Sequence, residues 1–253
     1  MTTLGLSRVL VALGAAIPSR PAVETGVGLA AAMGVALEAL FVEDVNLLRL
    51  GSLPFASEIS ALTGLRRALV GGELERALRV EASRLEQLLA ASAAQQRVPW
   101  SFAVTRGELL AEAMTREADL IVFGAPMRPS APAQEPEWAG PVVSLFDASP
   151  EALRALAATT RLARTLSRTL VILVPAGEGK AQRAVRQRAL EWLAAERVEG
   201  VVAPLTAAHP ALVEAMRARH GRVLALPASA LARRQVTLAM LVADLACPVI
   251  IVR

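Results

Sequence analysis

The sequence predicts an α/β fold of two tandem doubly wound parallel-sheet units, on three observations. Its hydrophobic fraction is 54%, yet aromatics make up only 3% and Tyr is absent. The interior must therefore be filled by Leu, Val and Ala, the residues that line parallel sheets covered by helices on both faces. Short apolar runs of strand length alternate with stretches of helical period, the signature of βα units. The pattern also repeats. Leu109-Leu110-Ala111-Glu112-Ala113-Met114 is echoed by Ala211-Leu212-Val213-Glu214-Ala215-Met216, and the echo runs on without a gap until Ile121-Val122-Phe123 falls on Val223-Leu224-Ala225. Val9 to Leu13 followed by Gly14 likewise matches Val142 to Phe146 followed by Asp147. Self-similarity of this kind predicts two units.

The first copy is the longer in its middle, which divides the chain into a first domain over 1–125 with an insertion near 43–72, a Pro-rich linker over 126–140 and a second domain over 141–253. Pro129, Pro132 and Pro136 lie in the linker among Ser, Ala, Gln and Glu, a composition that sustains neither a donor ladder nor an unbroken helix.

In the first half the periodicity predicts a strand at Arg8 to Leu13, a helix from about Pro21 to Met33 stopped by Gly34, and a strand at Ala36 to Val42. A long helix follows over Glu73 to Ala94, with Leu74, Leu78, Leu85, Leu88 and Leu89 on one side and Glu75 and Arg79 placed to pair on the other. A strand at Trp100 to Thr105, a helix at Glu108 to Arg116 and a strand at Leu120 to Phe123 complete it. The second half reads as strand Val142 to Phe146, helix Glu151 to Leu166, strand Leu170 to Val174, helix Gln182 to Ala195 and strand Val201 to Ala203. Helix Ala211 to His220, strand Val223 to Leu226, one helix from Ala230 to Leu245 and a final strand Val249 to Val252 follow.

Charge and composition narrow the function classes. The pI near 10.7 arises because nearly all the basic groups are Arg; the net charge is only +4, and the signs are interspersed, so no DNA partner is implied. Cys247 is the single cysteine, which rules out an internal disulfide framework and a thiolate metal cluster and suits a cytoplasmic protein. Arg8 with the apolar run to Ile17 has the outline of a short signal peptide, but its internal recurrence favours a strand. The tract Val236 to Val252 is interrupted by Asp244 and Pro248, and so predicts no membrane span.

Isolated candidates have structural readings. Gly71-Gly72 precedes a helix and could approach a phosphate, but suits the end of the insertion loop. His220 before Gly221 reads as a helix C-cap, and His209 sits at the opposite end of that helix; neither has a metal-ligand neighbour in sequence. Arg161, Arg164 and Arg168, with Lys180, Arg183, Arg186 and Arg188, could meet RNA or another anion, or form solvated faces. Met114 and Met216 hold equivalent repeat positions, which marks shared core packing. No nucleophile elbow, Walker loop or paired-carboxylate pattern is present, so the expectation is a protein that is not an enzyme and holds no metal.

The order of elements, the turn Phe146-Asp147-Ala148-Ser149-Pro150-Glu151 and the ending Ala246-Cys247-Pro248-Val249-Ile250-Ile251-Val252-Arg253 together resemble the universal stress protein family. Asp119-Leu120-Ile121-Val122-Phe123-Gly124 is similar to the family's fourth strand entering its phosphate loop. The resemblance implies a Rossmann-like fold in both copies. In nucleotide-binding members it further implies an Asp at the end of the first strand and a glycine-rich loop after the fourth. Here Gly14 stands where that Asp belongs in the first copy, and Gly124 is followed by Ala125-Pro126-Met127-Arg128. The second copy keeps Asp147 and Ser149, but has Leu226-Pro227-Ala228-Ser229 in place of the loop and Gln235-Val236 where Gly-Ser would fall. The candidate cofactor-binding residues are thus Asp147, Ser149 and Gly124; Asp147 reads either as a ribose or metal contact or as a helix-capping group, and Ser149 as a contact or an N-cap.

The expected function is that of a non-catalytic stress-response or regulatory protein with no cofactor, acting through a protein partner or as a homodimer. The apolar strand Val249, Ile250, Ile251, Val252 has no counterpart in the first half; its edge would lie open unless it pairs across the copies or between chains, and self-association through it is expected. The alternatives are an ATP- or AMP-binding protein using the second domain, and an anion or RNA binder using the basic helices.

Overall fold

A computed structural model describes residues 6–15, 20–53, 55–59, 63–68, 71–124, 140–206, 209–233, 237–245 and 247–253. In the first half, strand β1 (Arg8–Gly14), helix α1 (Arg20–Met33) and strand β2 (Ala36–Asp44) are followed by α2 (Val45–Gly51) and a hairpin of β3 (Ser57–Ile59) and β4 (Arg66–Ala68). Then come α3 (Gly71–Gln96), β5 (Trp100–Gly107), α4 (Leu109–Thr115) and β6 (Leu120–Phe123). The second half runs β7 (Val142–Leu145), α5 (Pro150–Thr165), β8 (Leu170–Pro175), α6 (Lys180–Glu196), β9 (Gly200–Leu205), α7 (His209–Ala218), β10 (Val223–Pro227), α8 (Ala228–Arg233), α9 (Leu238–Asp244) and β11 (Val249–Val252).

Nine strands form one sheet in the order β5-β2-β1-β6-β11-β10-β7-β8-β9. Within each half all pairs are parallel in this sheet; the halves meet where β11 lies antiparallel to β6, with Val249 opposite Phe123 and Val252 opposite Leu120. The two sequence units therefore share a single sheet. On its other side β11 pairs parallel with β10, Leu224 against Val249. The self-association expected through Val249 to Val252 is corrected by this pairing: both edges of the strand are filled within the chain, across the halves, and no backbone edge remains there for a second molecule.

Strand alternation splits the core across the two faces. Val9, Val11, Leu13, Leu120, Val122, Ile250 and Val252 pack with the helices α1, α3 and α5 on one face. Leu10, Ala12, Ile121, Phe123, Val249 and Ile251 pack on the other with α4, α7 and α9. On the first face α1 approaches closely, because Gly26 sits over Val11, whose Cγ2 would lie only 2.1 Å from a Cβ at that position.

The long helix keeps its expected face, with Leu78, Leu85 and Leu89 buried and Glu75 pairing with Arg79 at 4.0 Å. Gly34 ends α1 in the left-handed region at φ +68, as a helix stop requires. One expectation changes, and the insertion gains a structure that the sequence did not predict. The single helix over Ala230 to Leu245 is two short ones, α8 and α9, the second capped by the Thr237 hydroxyl accepting from the Met240 amide at 3.2 Å. The insertion carries α2, started by the Asp44 carboxylate accepting from the Asn46 amide at 2.7 Å, and then the β3–β4 hairpin. The linker is described only at Gly140; residues 126–139 lie outside the described residues. Among the described residues no helix is long and apolar enough to cross a membrane.

Candidate functional site at the strand tips

In doubly wound sheets ligands meet the carboxyl ends of the strands. Because the halves run antiparallel, this chain has two such ends, at opposite margins of the sheet. Gly124 closes β6 at one margin and is buried; Asp147 and Ser149 follow β7 at the other. The three candidate residues are therefore not brought together.

At the second margin every identified side chain is engaged locally. The Asp147 carboxylate accepts from the Ser149 amide at 3.0 Å and so holds the turn, in which Ala148 takes a left-handed φ of 65. The Ser149 hydroxyl accepts from the Ala152 amide at 3.2 Å and caps α5, whose first residue is Pro150. One strand away, β10 runs to Pro227 and α8 begins at Ala228 with no residue between them, so no loop intervenes. Glu151 reaches across: its Oε2 accepts from the Ser229 amide at 3.0 Å. A carboxylate of the chain itself thus takes the backbone donor at the head of α8, where an oxyanion would otherwise be met. Sequence reading missed this contact because nothing local links residues 151 and 229. Gln235 and Val236 lie outside the described residues.

At the first margin Gly14 is approached by the Leu109 side chain, 3.7 Å from where a Cβ would stand. Ala125 to Arg128 lie outside the described residues. Beside this tip, at the ends of β2 and β5, is a group that sequence reading did not single out. Buried Glu43 accepts from Arg106 Nε at 2.7 Å, and the same guanidinium approaches Glu75 at 3.7 Å. The Glu43 hydrogen bond and charge, with Glu75 adding, raise the Arg106 pKa above its ordinary value. The sequence signal was available: Glu43 and Arg106 each continue the alternation of their strand one step past the apolar run.

Other expected residues find structural roles. The His209 Nε2 lies 2.8 Å from Asp244 Oδ2, tying the start of α7 to the end of α9, a pairing hidden by sequence distance. His220 follows α7 in the left-handed region at φ 49, its amide donating to the Arg217 carbonyl at 3.0 Å. Gly71-Gly72 opens α3. Arg164 bonds the Glu196 carboxylate at 2.9 Å and also its carbonyl, while Arg161 reaches the Met33 sulfur at 3.6 Å. Two of the basic α5 residues are therefore committed to neighbouring helices. Met216 is buried and Met114 packs against the same face, as their matching positions implied. Burial pushes the Cys247 thiol up to about 12, which leaves it protonated and unreactive at neutral pH. A shallow cavity of about 220 Å³ at the ends of β8 and β9 is lined by Pro175, Gly177, Gln182, Arg183, Arg186 and Pro204.

No family model and no curated protein matches the chain. Solved structures do. A universal stress protein from Archaeoglobus fulgidus DSM 4304 superposes with a TM-score of 0.55 at 12% identity, covering 97% of this chain and 96% of that one. The fold is that of a universal stress protein. A functionally unknown protein from Pseudomonas aeruginosa PAO1 has a TM-score of 0.50 at 12% identity, with 99% of this chain and 93% of that one covered. At such identities the likeness concerns the fold and leaves function to the residues.

Proposed function

We propose that this chain is a non-catalytic regulatory or stress-response protein of universal-stress type, cytoplasmic, working through protein association and without a bound nucleotide. The observation that carries the reading is Glu151 accepting from the Ser229 amide. An ATP phosphate at the head of α8 would have to displace a carboxylate that already satisfies the donor, and would meet its negative charge. Pro227 contributes no amide, and Asp147 is held in its own turn. The engagement of Arg161 and Arg164 with neighbouring helices weighs against an RNA-binding face on α5.

Titration calorimetry with ATP and AMP at millimolar concentration tests the proposal. The expected result is no binding heat and no shift in Tm; saturable heat would replace it with the nucleotide-binding alternative centred on Asp147. A salt titration separates the anion-binding alternative, since any RNA retention through the basic helices would fall steeply with ionic strength.

A further inference from the structure

The two ends of the sheet are not equivalent. β5 closes one end and β9 the other, and each pairs on one side only among the described residues. Backbone direction alternates along a strand, so the residues whose amides and carbonyls face outward can be identified. Leu37 donates to the Pro99 carbonyl, which turns Ser101, Ala103 and Thr105 toward β2 and leaves Trp100, Phe102, Val104 and Arg106 facing outward. Leu170 donates to the Glu199 carbonyl, which by the same alternation leaves Gly200, Val202 and Pro204 facing outward on β9. Pro204 has no amide, so the β9 edge lacks a donor where an incoming strand would need one, a recognised means of blunting an edge. The β5 edge has no such device: all four outward residues carry a donor, the strand holds a single charge, and Trp100 and Val104 are 38% and 52% exposed.

We propose that β5 is a strand-addition edge and that its occupant is a second copy of this chain, added antiparallel about a twofold axis at Ala103. The sequence of the strand is complementary to itself in that register. Trp100 falls opposite the second copy's Arg106, a cation over an aromatic face, and Phe102 falls opposite its Val104. On the other side of the sheet Ser101 faces Thr105, and no like charges are set against each other. The four outward residues then pair as hydrogen-bonded partners in both directions, while Ala103 meets its own copy at a non-hydrogen-bonded position. The inference goes beyond the functional reading above and stands whether or not the strand tips bind nucleotide.

Three full-length proteins test it. By sedimentation velocity at about 100 µM, high enough to populate a micromolar complex, the wild type should run as a dimer. Val104→Pro, which copies the Pro204 device on an outward position and leaves the β2 ladder its donors, should run as a monomer with an unchanged far-UV spectrum. If that variant misfolds, Val104→Lys on the exposed face should give the same monomer. Ala103→Cys should form an intermolecular disulfide under mild oxidation, seen as a doubled mass on a non-reducing gel. Cβ atoms directly opposite in a non-hydrogen-bonded pair come within bridging range. A monomeric wild type, a folded Val104→Pro or Val104→Lys variant that remains dimeric, or an Ala103→Cys dimer that fails to cross-link would overturn the proposal.

Discussion

The first half contributes four strands to the main sheet in the order β5-β2-β1-β6, whereas the second contributes five, β11-β10-β7-β8-β9. The fifth strand of the second half occupies the place a fifth strand of the first would take. β11 buries Ile250 and Val252 on one face, Val249 and Ile251 on the other, and is bonded along both edges. The first half puts its extra length elsewhere, into α2 and the β3–β4 hairpin, around which Phe55, Ile59 and Leu65 are exposed. The difference teaches that neither half is closed alone. Last-residue contacts reinforce the seam: the Arg253 amide donates to the Asp119 carbonyl at 3.0 Å, and its guanidinium caps the end of α4 through the Arg116 carbonyl at 2.7 Å and the Met114 carbonyl.

Removing residues 247–253 should have the largest effect on that comparison. With β6 and β10 both stripped of a neighbour, the truncated chain is expected to lose cooperative unfolding and bind a hydrophobic dye. A truncated chain whose near-UV spectrum matches the full chain would break the shared-strand account.

Gly26→Ala should be the next most damaging, because the added methyl drives into Val11 and forces α1 away from the sheet. Overpacking of this kind costs about 1–3 kcal/mol, to be read from urea unfolding midpoints. Ser149→Ala tests the second half in turn. Losing the cap on α5 should cost about 1 kcal/mol, and Ser149→Gly should restore part of it.

The smallest effect is a pH dependence at the start of β1. Burial works to raise the Asp119 pKa, but hydrogen bonds from the Ser7 amide, the Arg8 amide and the Ser7 hydroxyl, with the charge of Arg154, outweigh it and hold the carboxyl below its usual range. A carboxylate lowered in the folded state adds stability that is complete above its unfolded value of about 4 and is lost as pH falls through the folded one. The advantage of wild type over Asp119→Asn should therefore be constant near neutrality and shrink in acid.

Much of the fold was legible because strands and helices here obey their periods. Val223 to Leu226 and Leu120 to Phe123 read as strands from apolar runs bounded by turn residues, and the Leu74 to Leu89 stripe marked the buried face of α3. The apolar period runs on through Ala230 to Leu245 and so predicts one helix, although Thr237 offers a second cap. The insertion escaped because α2 and its hairpin are too short to show a period. The candidate site was less legible still. Asp147 and Ser149 form a local turn that sequence can describe, but Glu151 with Ser229 and His209 with Asp244 are pairs made by folding alone.

Scanning calorimetry on the intact chain tests most directly whether one strand makes the halves a single body. The shared β11 predicts one transition whose calorimetric and van't Hoff enthalpies agree, with β6 and β10 amides exchanging hydrogen at the same global rate. Two separable transitions, with one set of amides exchanging well before the other, would contradict it.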